Sequence, residues 1–239
     1  MSSNPLERVT TLAFDIFGTV LDLTGSITPP TREFLKGKGA RIGAEAFWDQ
    51  WRARQRIEQY QDSLMQLGHS GYLEACRRAL LYCLRLNGIE IKDGEVRELM
   101  QAWRMLSPHP DVAEGLRRLK TRYQLVALSN GEQAYLEQLE KERMRFGFDA
   151  LISVERAGWF KPHPSVYRTG ATLLGLEPQS IMMVAAHAFD IMGARACGYR
   201  GAYVNRYRLP YEESPHRPDF EVKDFVELAN VLERESANT

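Results

Sequence analysis

Apolar residues recur along this chain with two different periods. Short runs rich in Val, Leu, Ile and Ala at residues 9–14, 124–128, 151–154, 180–185 and 201–204 read as strands. Segments with helical spacing stand between them, beginning near Asp111, Glu132, Pro164 and Ala188, and Gly175 and Gly198 are placed to stop two of these. Alternation of this kind predicts an α/β fold with a Rossmann-like parallel sheet as its core.

Residues 23–107 break the alternation and read as almost wholly helical. Val96, Leu99, Met100 and Trp103 follow the i, i+3, i+4, i+7 spacing of one amphipathic helix, and Tyr72, Leu73, Cys76, Leu80, Cys83 and Leu84 suggest another. Pro108 and Pro110 disfavour helix and mark the return to the strand pattern. The expected organisation is a core of residues 1–22 and 108–239 with an inserted all-helical cap of residues 23–107. Such a cap would close over the strand ends, where open α/β sheets bind ligands.

Composition narrows the function classes. At 239 residues and 44% hydrophobic, the chain can bury one core plus an insertion. Its 31 basic residues balance 31 acidic ones, which argues against nucleic acid or a membrane surface as partner. No apolar run is long enough to span a bilayer, and the first ten residues have no signal-like apolar core. Three cysteines, two of them seven residues apart on one predicted helix, suit a reducing compartment, so a cytoplasmic protein is expected. His69, His109, His163 and His216 lack zinc-site spacing, and Arg117, Arg118, Lys120 and Arg122 read as a solvated helical face. The tail beyond Leu232 is polar and expected to fray.

The chemistry concentrates where strands end. The first strand delivers Asp15 into the run Phe14-Asp15-Ile16-Phe17-Gly18-Thr19-Val20-Leu21-Asp22; the bland alternative is a strand followed by a turn. Ser129-Asn130-Gly131 follows the second strand, Lys161-Pro162 lies in a later loop, and Asp190 follows the run Val184-Ala185-Ala186-His187-Ala188-Phe189. These four stations, in this order and across nearly the whole chain, resemble the haloacid dehalogenase superfamily. The residue types suit covalent catalysis. A carboxylate, Asp15, can attack carbon or phosphorus and pass through an ester. Lys161 can keep it ionised. Ser129 and nearby N–H groups can hold an anion. Asp190 can position or activate the hydrolytic water.

Two departures choose the branch. Superfamily members that transfer phosphate have a second Asp two residues after the first, and Gly-Asp ahead of the final one. Phe17 and Ala185-Ala186 stand there instead. With those carboxylates gone, Asp15 and Asp190 are the main hard ligands left, so no metal and no cofactor are expected. A departing halide also needs no proton, unlike an alkoxide.

The resemblance then extends to the (S)-2-haloacid dehalogenase branch. Trp51-Arg52 matches a Trp–Arg pair of that branch, which implies that Arg52, with Asn130, receives the halide. Tyr167 matches a tyrosine that contacts the active-site carboxylates. Thr19 can bond Asp15 or simply finish its turn, and Phe17 and Phe189 can wall the pocket or pack the core. At His187 many members of the branch resemble Ser-Ser-Asn over the last three positions, where this chain has Ala-Ala-His. Our expectation is that His187 orients or deprotonates the hydrolytic water together with Asp190. The resemblance implies a halogenated carboxylic acid as substrate and a homodimer joined through cap helices. The rival readings are a phosphatase with atypical motifs, a hydrolase of a strained carboxylate ring, and a binding protein on an inherited scaffold.

Overall fold

The computed structural model describes residues 6–92 and 94–237. The extreme N-terminal segment and the last two residues of the polar tail lie outside them. The first strand, β1 (Thr11–Phe14), is buried along its whole length, as its unbroken apolar run requires of a central parallel strand. It lies between β4 (Gln124–Ser129) and β6 (Ile181–Ala185), with Phe14 level with Ala127 and Val184. Outside these lie β5 (Ala150–Ser153) on one side and β7 (Arg200–Val204) and β8 (Phe220–Val222) on the other. All six strands are parallel, in the order β5–β4–β1–β6–β7–β8. The shared register brings the C-terminal ends of β1, β4 and β6 to one edge, so Asp15, Asn130 and Ala186 emerge side by side.

Helices cover the sheet. α5 (Val112–Leu119) and α9 (Phe225–Ala237) pack together beside Phe14, whose ring lies 5.3 Å from that of Phe225. α7 (Pro164–Leu174) and α8 (Ala188–Ala196) cover the other face over Tyr167 and Tyr199. α6 (Gln133–Leu139) links β4 to β5. Gly175 ends α7 in the left-handed region at φ +66°, bonding back to Thr172, as a glycine stop should. The expected fray beyond Leu232 is not observed up to Ala237, because α9 continues that far. Arg118 is tied to Glu233 and Asn230 of α9, whereas Arg117, Lys120 and Arg122 are exposed, as a solvated face requires.

Two further strands, β2 (Leu21–Asp22) and β3 (Ser107–Pro108), pair antiparallel where the chain leaves and re-enters the sheet layer. Between them stand α1 (Leu23–Gly37), α2 (Ala44–Leu64), α3 (Tyr72–Leu86) and α4 (Glu95–Met100), the last tightening into a 3₁₀ turn over Gln101–Met105. Asp22 caps α1 by accepting from the Gly25 N–H at 2.9 Å. On α2, Trp51, Gln55, Gln59 and Asp62 form the buried stripe. Trp51 donates to the Cys76 carbonyl at 2.7 Å and packs edge-on against Trp48 and Trp103. This seam fixes the rotation of α2, and one residue further round, Arg52, Arg56 and Tyr60 face the ends of β1 and β6 half-buried. Cys76, Cys83 and Cys197 are all free thiols.

Candidate active site

Asp15 takes up the position directly beyond β1. Ile16 N–H is followed by a tight turn in which Val20 and Leu21 both bond to the Ile16 carbonyl, folding Thr19 back over the carboxylate. Thr19 Oγ1 donates to Asp15 Oδ2 at 2.7 Å and accepts from Ala186 N–H at 2.8 Å, so one hydroxyl joins the ends of β1 and β6. Gly18 makes the turn possible at φ +92°. A Cβ there would lie 2.7 Å from the Tyr207 hydroxyl and 3.0 Å from the His187 ring.

Lys161 is almost fully buried and reaches both acids. Its Nζ stands 2.7 Å from Asp190 Oδ2 and 3.4 Å from Asp15 Oδ1. Tyr167 on α7 donates to Asp190 Oδ1 at 2.8 Å, so both oxygens of Asp190 are engaged. Asn130 Oδ1 accepts from the Lys161 backbone N–H at 2.9 Å, pinning the lysine loop to the end of β4. Ser129 Oγ, fully buried, accepts from Gly131 N–H at 3.3 Å.

His187 occupies the other flank. Its Nδ1 is 3.2 Å from Asp15 Oδ2 and its Nε2 is 3.2 Å from Arg52 Nη2. A guanidinium can only donate, so Nε2 is the acceptor and Nδ1–H donates to Asp15. The ring is therefore neutral, in agreement with a pKa pushed below its ordinary value by burial and by the charges of Arg52 and Arg56, against the pull of Asp15. Arg52 also donates to Gln55 Oε1 at 2.8 Å and to the Phe17 carbonyl at 3.3 Å.

The two carboxylates are driven apart electrostatically. Burial alone would raise Asp15, but Lys161 and the donors His187 and Thr19 outweigh it and hold the group well below the usual carboxylate range. Asp190 is pushed up to about 6 by burial and the charge of Asp15, against the opposing pull of Lys161.

Comparison with known proteins settles the ancestry. The family model of haloacid dehalogenase-like hydrolases matches residues 9–198. The chain belongs to this family. It is 30% identical over 229 residues to haloacetate dehalogenase H-2 of Moraxella sp. (strain B), covering 95% of this chain and 99% of that protein. It is also 30% identical over 230 residues to the (S)-2-haloacid dehalogenase of Pseudomonas sp. (strain YL), covering 95% and 96%. Among solved structures, the L-2-haloacid dehalogenase of Xanthobacter autotrophicus with chloropropionic acid covalently bound superposes with a TM-score of 0.80 at 26% identity, over 94% of this chain and 98% of that one. A defluorinating L-2-haloacid dehalogenase superposes with a TM-score of 0.81 at 30% identity, over 94% and 95%.

Within this family some sites hold magnesium, but the donor set here does not fit it. Magnesium requires about six oxygens in near-octahedral array. Phe17 and Ala186 contribute no side-chain oxygen, and Lys161 Nζ stands between the two acids where a cation would have to sit. Among the described residues no cluster of three or more His, Cys, Asp or Glu side chains is arranged to hold a metal ion.

The residues expected from sequence fall into two groups around Asp15. Thr19, Lys161, Asp190, Tyr167 and His187 form one connected hydrogen-bond network with it. Arg52 joins through His187, and Asn130 through the Lys161 backbone. Arg52 lines the cavity beside His187, and the Asn130 side chain bonds the Lys161 backbone N–H. His187 contacts Asp15 directly, while Lys161 and Tyr167 hold the two oxygens of Asp190. Phe17 stacks against Tyr72 at 4.0 Å and 15° and lies nearly parallel to Tyr135, which makes it a wall between cap and core. Phe189 lies edge-on to Tyr60, 5.4 Å from the His187 ring.

Sequence reasoning passed over three residues at the site. His69 Nε2 lies 2.9 Å from the Asn130 carbonyl, with its ring against Phe160. Tyr207 donates to the Gly18 carbonyl at 3.1 Å. Arg56 lines a cavity of about 500 Å³ with Arg52, His187, Phe189 and Tyr207. None stands in a motif. Only the helical spacing of Arg56, one turn beyond Arg52, could have marked it.

Proposed function

We propose that this chain hydrolyses the carbon–halogen bond of short 2-haloalkanoic acids without a metal ion, through an ester on Asp15. The observation that carries the reading is the asymmetry of the Asp15 carboxylate. Oδ2 is taken by Thr19 and His187, whereas among the described residues Oδ1 has only the Lys161 ammonium at 3.4 Å. Oδ1 is thus the oxygen free to attack carbon.

Attack of Oδ1 on C2 forms a C–O bond as the halide leaves with the C–X bonding pair. Backside displacement inverts C2. Arg52, a permanent cation beside the cavity, receives the halide, while the buried Ser129 hydroxyl donates to the substrate carboxylate. Asn130 holds the Lys161 loop through Oδ1 and offers its side-chain N–H to the halide with Arg52. In the ester, Oδ2 is the carbonyl oxygen, so Thr19 and His187 polarise it as water adds to the Asp15 carboxyl carbon. Asp190, raised to about 6, accepts the water proton. Collapse releases the 2-hydroxy acid, restores Asp15 and leaves one proton for solvent. Lys161 and Tyr167 hold Asp190 in place, and Phe17 and Phe189 keep the reacting carbon dry.

The same reading treats residues 23–107 as a cap over a core of residues 1–22 and 108–239. The short β2–β3 pairing supports it, because both crossings between the layers lie side by side. It also takes the protein to be a cytoplasmic homodimer. Exposed Leu64, Tyr82 and Leu86 on the cap helices support the dimer. Among the described residues no helix is long and apolar enough to cross a membrane.

The test is halide release from chloro-, bromo- and fluoro-substituted 2-alkanoic acids with EDTA throughout, beside Asp15→Asn. Release that persists in EDTA and vanishes in the variant is expected. A single turnover in heavy-oxygen water should place the label in Asp15. Activity that requires magnesium, or label appearing only in the product, would overturn the proposal.

A further inference from the structure

Two guanidinium groups line the cavity beside the site. Arg52 and Arg56 are one turn apart on α2 and half-buried, on the stripe that also carries Tyr60. Like charges at this spacing repel, and a half-buried cation without a partner costs solvation. Arg52 is engaged by Gln55, the Phe17 carbonyl and His187. Arg56 has no hydrogen bond or ion pair among the described residues. Two acids also line the cavity, Asp49 and Glu212, but both are exposed, and neither forms an ion pair with either guanidinium.

The size of the cavity points the same way. A halopropionate occupies about as much space as a few waters, each ~30 Å³. The cavity holds about 500 Å³. Its lining includes Phe189 and His187, the latter bonded to Asp15, and Arg56 stands one turn, ~5.4 Å of helix, beyond Arg52. A monoacid would occupy the carboxylate-binding groups near Ser129 and leave Arg56 with only the solvent-exposed charge of Glu212 to attract it. A second anionic group at the far end of the substrate would supply a direct counter-charge.

We infer that Arg56 is a specificity-determining residue that binds a distal carboxylate, so that the preferred substrate class is a 2-halo dicarboxylic acid of halosuccinate length. This rests on the dehalogenase reading for its chemistry, but the binding claim can be separated from it. The guanidinium would hold the distal carboxylate through charge-assisted, paired N–H bonds. The half-buried setting makes that contact stronger than its equivalent on an open surface.

Two measurements test it, each with (S)-2-chlorosuccinate or succinate against (S)-2-chloropropionate or propionate, on the wild type, Arg56→Leu and Arg56→Lys. In steady-state chloride release, the wild type should favour the diacid. Arg56→Leu should lower the diacid-to-monoacid ratio of kcat/KM by about 10- to 100-fold, the value of a charged hydrogen bond, mainly through KM. Arg56→Lys should restore part of that ratio. In calorimetry with the unreactive acids, succinate should bind the wild type more tightly than propionate, and Arg56→Leu should remove the difference. That binding result would stand even if neither chloro acid were turned over, an outcome that would defeat the dehalogenase reading alone. An equal loss for both acids in Arg56→Leu would make Arg56 a partner of the common carboxylate and overturn the inference. Absence of any wild-type preference for succinate would overturn it too.

Discussion

Asp15 Oδ2 receives two donors whose roles can be separated by substitution. Thr19 also bonds Ala186 N–H and is part of the turn, whereas His187 reaches the carboxylate from outside it. His187→Phe keeps a ring of similar bulk and removes the donor. Ester formation should persist, and ester hydrolysis should slow by roughly 10²–10³, the usual effect of deleting one oxyanion donor. Rapid-quench mass spectrometry should then find the Asp15 peptide carrying the substrate's carboxyalkyl group at steady state. An unmodified peptide with normal turnover would show that the Nδ1–H contact has no part in hydrolysis. The presence of a histidine here is plain in the sequence, but its partner is not. His187 precedes α8 and Asp190 sits in its first turn, and the sequence reading has both act on one water. The backbone turns the ring toward β1, while Lys161 and Tyr167 occupy both oxygens of Asp190.

At the scale of elements, hydrophobic pattern and packing each decided different things. The five longer strands of the main sheet were legible as apolar runs because both faces of a parallel sheet are covered. β8, three residues with only Val222 fully buried, has too little pattern to detect. β2 and β3 have two residues each and exist only because the crossings meet in space. The contact of α5 with α9 is similarly tertiary. A Cβ on Gly115 would lie 2.4 Å from Phe225 Cβ and 2.8 Å from its backbone. Alanine there would gain about 1 kcal/mol in helix propensity. Overpacking against unyielding backbone costs about 1–3 kcal/mol and should offset or exceed that gain. Gly115→Ala is therefore expected to lower the urea midpoint despite being the better helix former. An unchanged or raised midpoint would mean that α9 shifts freely on α5.

For the molecule as a whole, Asp190 links the site to stability. Its folded pKa is raised from 3.8 to about 6, so between those values the folded state holds a proton that the unfolded state has lost. Stability contributed by this group is therefore present at the acid side and declines as pH rises from about 4 to 6. Above that it should be flat. The wild type should lose stability relative to Asp190→Asn across this window, as read by paired urea titrations. In the wild type, ester hydrolysis should slow at acid pH once Asp190 is protonated, at a pH below its free-enzyme value of about 6, because esterified Asp15 no longer carries the charge that helps raise it. A difference that grows in the opposite direction would place the raised pKa elsewhere in the buried cluster.

The sequence by itself determined the α/β core, and it marked a helical run between two strands and four stations at strand ends on which the proposed chemistry rests. It could do so because strand burial and helix amphipathy are local patterns, and because carboxylate, lysine and hydroxyl at strand ends are restricted by what each can do. Which strand ends adjoin was decided by the β4–β1–β6 order, set by long-range pairing that no local window contains. The same holds for the neutral state of His187, fixed by a guanidinium 135 positions away in the chain. It holds also for Arg56, whose place at the cavity follows from the seam that Trp51 makes with α3 and not from any motif. Hydrogen-bond partners, unlike burial, depend on directions that only the assembled chain provides.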